Sequence, residues 1–411
     1  MTLPAPAAHP AMLDNGVRYA ALHRPGADVT TVSVWVLAGS RHEPVPGVAH
    51  LFEHVVMQAV PAGRSMRVVD EIEAWGGDAN AMTARDHVVL HARVPASDAP
   101  AALRVLTDAV VTSEFDDEVV EAERRVVQEE LRLAASDPTD IVHDVFFATA
   151  YGDHPMGRPV GGTVPGVAGL GAGDLAAWSG RFVRPALTGV VVSGGMTGAE
   201  VRAVLADSPL AGLTGTGDGR PRDSSPPFAA GRQDLPIVSE TAAVVIGGPG
   251  FALSDRAALA AEVVAELVAG GNASVLTEEI RSRQGLSYDI WGGASGYRET
   301  GSWRVAISTA PEHRDQVVEL ATGLLAGAVR NGWTQAQVSV ASRRVAGLTR
   351  VETESSLDEA LLFGDHAYVG DSPGFSLGTY LAGLAGLTAP EVNQAAEFMT
   401  DRLVVATAGA G

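Results

Sequence analysis

Apolar and polar residues alternate, or apolar residues run together, in several short stretches of the chain. Such stretches are typical of strands that are half or fully buried in a sheet. An Asn15-Gly16 pair near the start of the chain predicts a tight hairpin. The other stretches predict strands over 30–37, 87–94, 190–195, 242–247 and 403–407.

Between these strands, apolar residues recur at the spacing of amphipathic helices. Gly76-Gly77 would stop one helix, and Asp137-Pro138 marks a turn after another. The spacing predicts helices over 47–57, 68–75, 116–133, 141–150 and 257–269.

The order of elements in the second half of the chain repeats that of the first half. We therefore predict two similar domains, 1–213 and 234–411, related by internal duplication. The segment 214–233 is rich in Gly, Pro, Ser and Asp and has no apolar period, which predicts a linker.

Composition narrows the class of protein. A chain of 411 residues with 46% hydrophobic residues can bury more than one core. Its net charge of −20 argues against nucleic acid and anionic membrane surfaces as partners, and favours cationic peptides. There is no cysteine for a disulfide or a thiol nucleophile, and no signal peptide or membrane span is evident. We expect a cytoplasmic protein.

The segment His50-Leu51-Phe52-Glu53-His54 carries the clearest chemistry. In a helix, residues four apart share a face, so His50 and His54 can point two imidazoles at one ion. Two imidazoles and a carboxylate suit zinc, and Glu53 would be the base that deprotonates a water. The alternative is a helix with two surface histidines and an ordinary glutamate.

A third ligand is offered by the predicted helix 116–133. Glu123 and Glu130 fall within roughly 20° of each other on a helix, whereas Glu129 points away from both. One of this pair can bind the metal while the other holds a ligand histidine. The alternative is a solvated acidic face.

With Glu130 downstream of it, the His-x-x-Glu-His segment resembles the inverzincin peptidases of the pitrilysin and insulinase family. Within that family, the chain resembles the short members, such as mitochondrial processing peptidase and its bacterial counterparts. The resemblance implies zinc on His50, His54 and Glu130, with Glu123 supporting a ligand. It also implies an α+β fold, in which each domain is a mostly antiparallel sheet with helices packed on it.

Two further segments match the family. Asn80 and Ala81 would line the cleft on an edge strand to which substrate adds, although an edge strand without a ligand is the alternative. Arg281 and Tyr288, in Arg-x-x-x-Gly-Leu-x-Tyr, would bind the substrate backbone and steady the oxyanion. The alternative there is a helix end with a glycine stop and a core tyrosine.

The resemblance implies a zinc endopeptidase that cleaves unfolded peptides, in leader or presequence processing or in peptide degradation, inside a closed dimeric chamber. We expect a homodimer first and a heterodimer with a paralogous subunit second. The alternative function is a non-catalytic or partner-dependent subunit of a heterodimeric peptidase.

Overall fold

The computed structural model describes residues 10–215 and 226–409, so part of the predicted linker 214–233 lies outside the described residues. A six-stranded sheet occupies the first half of the chain, in the order β1-β2-β6-β3-β5-β4. Only β2 and β6 run parallel, and every other pair is antiparallel. The strands are β1 Ala11–Met12, β2 Arg18–His23, β3 Val29–Val36, β4 Asp78–Thr83, β5 Val88–Pro95 and β6 Thr188–Gly194.

A five-stranded sheet occupies the second half, in the order β7-β11-β8-β10-β9. Its one parallel pair is β7 with β11. The strands are β7 Gly231–Leu235, β8 Ala242–Gly250, β9 Ser287–Gly296, β10 Gly301–Thr309 and β11 Val404–Ala408. Strand β7 therefore begins inside the segment that the sequence predicted as a linker.

The two sheets have the same topology. With the short β1 set aside, each places its strands in the order first, fifth, second, fourth, third, with the first and fifth parallel. An identical strand order is what an internal duplication produces. The predicted α+β fold of two similar domains is confirmed.

The helices fill the connections between the strands. Their bounds are α1 Val48–Gln58, α2 Val68–Glu73, α3 Ala99–Thr112, α4 Asp117–Ser136, α5 Pro138–Tyr151, α6 Val164–Ala168, α7 Ala172–Phe182, α8 Gly198–Ala206, α9 Arg256–Ala269, α10 Arg314–Asn331, α11 Gln335–Glu352, α12 Ser356–Gly364, α13 Leu377–Ala385 and α14 Ala389–Thr400. In the described part of the chain, no helix has the length and apolar character that crossing a membrane requires.

The chain divides into two compact units whose segments alternate along the sequence. The first unit comprises Met1–Leu131, Val160–Arg222 and Val351–Gly378, and the second comprises Arg132–Pro159, Asp223–Arg350 and Thr379–Gly411. In the first unit α12 packs on β3 and β6, and in the second unit α5 packs on β8 and β11. Helices α5 and α12 occupy corresponding places in the two repeats, since each follows a long helix. Each therefore packs on the sheet formed by the other repeat. The boundaries 1–213 and 234–411 do not anticipate this exchange.

Candidate metal centre

The first turn of α1 is held by a buried carboxylate. Glu43 accepts hydrogen bonds from the backbone N–H of Gly47 (2.7 Å) and of Ala49 (2.9 Å). Its side chain lies in the interior, with the whole residue 4% exposed. The first amides of a helix have no partner within the helix, and a negative charge suits the positive end of its dipole. Glu43 therefore fixes where α1 begins, two residues before His50.

Helix α1 is strongly amphipathic, which decides where its histidines point. Leu51, Phe52 and Val55 are fully buried, and the Phe52 ring packs on Trp178 with centroids 4.5 Å apart. The opposite face presents His50 and His54, whose rings meet edge to face with centroids 4.8 Å apart.

Glu130 of α4 completes a set of three donors. Its Oε2 lies 3.4 Å from Nε2 of His54 and 3.8 Å from Nε2 of His50. One ligand atom from each of the three residues lies within 4.8 Å of the others, and no other group of three His, Asp or Glu among the described residues is this close. Two imidazole nitrogens and a carboxylate oxygen at this spacing fit the donor set of zinc in hydrolases.

Glu123 lies on the same face of α4 as Glu130, but it contacts the other ring nitrogen of His54. Its Oε2 is 3.3 Å from Nδ1 of His54. An acceptor at Nδ1 keeps the proton on that nitrogen and leaves Nε2 free to bind a metal. Glu129, the third candidate of the sequence, is exposed.

His50 is held by packing instead of by a carboxylate. Its Nδ1 is buried and has no hydrogen-bond partner among the residues that the structure describes. The backbone of Gly161 lies against the ring so closely that a Cβ on this glycine would come within 3.2 Å of Nδ1 and 2.9 Å of Leu131 Cδ2. Burial, together with the nearby His54, lowers the pKa of His50 to about 4, so the imidazole is neutral at neutral pH, the form that binds metals.

Glu53 lies beside the two histidines and is held by Thr83. The Thr83 hydroxyl donates to Oε2 of Glu53 at 2.6 Å. Burial raises the pKa of Glu53 above its ordinary value, and the Thr83 hydrogen bond partly opposes this rise. A carboxylate with a raised pKa is better matched to accepting a proton near neutral pH.

These side chains share one open cleft of roughly 450 Å³. Strand β4, which ends the first sheet, forms one wall. Along it Asn80 is exposed, whereas Ala81 is buried. The cleft is lined by His50, Glu53, His54, Met57, Gln58, Val69, Ala79, Asn80, Ala81, Glu123 and Glu130.

Arg281 and Tyr288 lie in the second unit. Arg281 is exposed in a π-helical segment, Thr277–Arg283, which is followed by Gly285 with φ +66°. Tyr288 is the second residue of β9, the edge strand of the second sheet, and its side chain lies outside the described part of the structure. Their predicted role stays a prediction.

Sequence reasoning gave no role to Glu43, Thr83 or Gly161. The alternation of β4 puts Thr83 on the same face as Ala81, toward α1, so strand periodicity could have identified Thr83. Glu43 and Gly161 act through tertiary contacts that no local pattern marks.

Comparisons with known proteins cover most of the chain. Residues 18–164 match the family model described as "Insulinase (Peptidase family M16)", and residues 170–345 match the model described as "Peptidase M16 inactive domain". A Mycobacterium leprae protein named an uncharacterized zinc protease is 31% identical over 348 residues, 82% of this chain and 76% of that protein. Subunit 1 of the mitochondrial cytochrome b-c1 complex of Bos taurus is 29% identical over 259 residues, 60% of this chain and 52% of that subunit.

A solved structure agrees with the fold. The crystal structure described as the peptidase M16 inactive domain from Pseudomonas fluorescens superposes with a TM-score of 0.89 at 18% identity, covering 98% of each chain. At this level of identity the likeness supports the architecture alone.

Proposed function

The chain belongs to the insulinase family, peptidase family M16, and from that membership we propose that it is a zinc-dependent endopeptidase of unfolded peptides. The observation that carries the proposal is the convergence of His50, His54 and Glu130 in one cleft with Glu53. The cleft is walled by an edge strand, which is the element that an extended peptide can join.

We propose one zinc ion per chain, held by His50, His54 and Glu130. When bound, zinc supplies a Lewis acid that lowers the pKa of a water and polarises a peptide carbonyl. Glu123 keeps His54 in the tautomer that leaves Nε2 for the ion. Glu53 takes a proton from the attacking water and gives it to the leaving amine.

The proposed substrate is an extended chain that pairs with β4 through its backbone at Asn80 and Ala81. Backbone pairing needs no particular side chain and requires the peptide to be unfolded, which suits processing of leaders or presequences and peptide degradation alike. The acidic net charge of −20 favours cationic peptides.

We further propose that Arg281 and Tyr288 bind the substrate backbone and steady the oxyanion, through a guanidinium fork and a phenol donor. In a closed dimeric chamber, a second subunit supplies this pair. A homodimer is the first choice because this chain carries both motifs, and a heterodimer with a paralogous subunit is the second.

The second candidate function is a non-catalytic or partner-dependent subunit. Two findings favour it: residues 170–345 match a model described as an inactive domain, and the bovine relative is a subunit of the cytochrome b-c1 complex. Against it, the chain keeps a complete set of three donors beside Glu53.

The test is cleavage of a mixed peptide library by the purified full chain, with and without a zinc chelator. We expect chelator-sensitive cleavage, and a loss of about 100-fold or more in rate for Glu53→Gln with zinc still bound. Glu129→Gln is the matched control, because this exposed glutamate lies beside Glu130 but outside the cleft.

Each other outcome has a distinct meaning. Loss of zinc from Glu53→Gln would make Glu53 a ligand instead of a base. A chain that holds zinc but cleaves nothing would favour the partner-dependent subunit.

A further inference from the structure

Thr83 is the last residue of β4, and its side chain faces α1. Its hydroxyl lies 2.6 Å from Oε2 of Glu53 and 3.5 Å from the carbonyl oxygen of Ala49. A hydroxyl has one proton to donate, and the short, charge-assisted bond to the carboxylate is much the stronger of the two. The proton of Thr83 therefore goes to Glu53.

This hydrogen bond constrains the side chain on which the proposed chemistry depends. Because the Thr83 hydroxyl occupies one acceptor site of Oε2, it restricts how the Glu53 carboxylate can turn. Glutamate has three rotatable bonds, and a partly buried carboxylate without a fixed partner would sample several rotamers. The hydroxyl bond, together with the Thr83 backbone, which also contributes a hydrogen bond to Glu53, favours one of them.

Thr83 also connects the base to the strand that would carry the peptide. Thr83 lies on the same strand, β4, as Asn80 and Ala81, two residues after Ala81. Strand β4 packs directly on α1. We propose that Thr83 is a positioning residue, which holds the Glu53 carboxylate in register with a peptide paired to β4. The proposal rests on the proposed function, because it assigns Thr83 to the same reaction.

The test compares Thr83→Val, which keeps the shape but removes the donor, with Thr83→Ser, which keeps the donor. In the zinc-loaded full chain, we expect Thr83→Val to lower kcat by about 10- to 100-fold, with KM within about twofold. Thr83→Ser should recover kcat to within about threefold of the parent. Zinc content should be unchanged in both variants.

Thr107→Val is the matched control. Thr107 is buried in α3 of the same unit, and its hydroxyl donates to the carbonyl oxygen of Arg104 at 2.9 Å, away from the cleft. Its loss should leave kcat and KM at parental values. A general effect of removing a buried threonine hydroxyl would instead lower kcat in both valine variants.

A second readout does not depend on activity. In crystal structures of the full chain, the Glu53 carboxylate should leave its parental position in Thr83→Val and keep it in Thr83→Ser. Parental kcat and an unmoved carboxylate in Thr83→Val would overturn the proposal, as would a Thr83→Ser variant as defective as Thr83→Val. If the parent chain itself shows no chelator-sensitive cleavage, the proposed function fails, and the carboxylate positions alone decide the role of Thr83.

Discussion

The two histidines of the candidate metal centre are held in different ways. His54 contacts the carboxylate of Glu123 at Nδ1, whereas Nδ1 of His50 is buried and finds no hydrogen-bond partner in the described part of the chain. On the Nδ1 side, the His50 ring lies against Gly161. A small residue at position 161 is therefore a requirement of the site, although it carries no functional group.

Gly161→Ala tests this requirement. The new methyl group would lie 3.2 Å from Nδ1 of His50 and 2.9 Å from Leu131 Cδ2, so the imidazole ring has to move by a few tenths of an ångström. We expect zinc affinity to fall by about tenfold or more, measured by competition with a chromogenic chelator. Gly173→Ala is the control, because a Cβ there meets nothing within 4 Å and alanine suits its position in α7. Parental zinc affinity in Gly161→Ala would show that His50 is held by other contacts.

At the residue scale, local spacing was sufficient to propose the donors but not their surroundings. The four-residue spacing of His50 and His54 and the shared helical face of Glu123 and Glu130 can both be read from the sequence. Gly161 cannot, because its importance comes from an approach to α1 that only the folded chain creates. The same holds for Thr83, whose partner is thirty positions earlier in the chain.

At the element scale, periodicity predicted the types of the elements well and their ends less well. The strand predicted over 30–37 is Val29–Val36, and the helix predicted over 116–133 is Asp117–Ser136. Long periodic segments define their interior, whereas ends depend on capping groups. The start of α1 depends on Glu43, which lies in the loop before the helix and which no capping pattern in the sequence identifies.

Glu43→Gln tests whether this cap sets the stability of the first unit. The amide keeps one acceptor oxygen but presents an N–H₂ group to the second backbone N–H, and it removes the negative charge at the helix start. We expect a loss of about 1.5–3 kcal/mol in the free energy of unfolding, the range for one charged hydrogen bond, measured by urea denaturation. Glu200→Gln is the comparison, because Glu200 caps α8 in the same unit from an exposed position and should matter less. Equal losses in the two variants would contradict a special role for the buried cap.

At the scale of the whole molecule, the exchange of helices was not predictable from one sequence. The duplication could be read from the repeated order of elements, but nothing local in α12 indicates which sheet it covers. In the structure the segment Val351–Gly378 completes the core of the first unit. Glu359 accepts hydrogen bonds from Arg24 Nε at 2.9 Å and from the Ser193 hydroxyl at 2.5 Å. The unit that carries the candidate metal centre is therefore built from both halves of the chain.

Because α12 packs on the first sheet, we predict that a substitution that overpacks α12 at residue 364 destabilises that sheet. A Cβ on Gly364 would overlap the indole ring of Trp35, a fully buried residue of β3, and such overpacking costs about 1–3 kcal/mol. In hydrogen exchange of the full chain, Gly364→Ala should therefore lose protection in β3 and β6 and keep it in β8 and β10. Gly374→Ala, in the same segment but with nothing within 4 Å of its Cβ, should match the parent. If Gly364→Ala instead lost protection in β8 and β10, the segment 351–378 would stabilise the second sheet and not the first. The exchange of helices would then have no bearing on the stability of the metal centre.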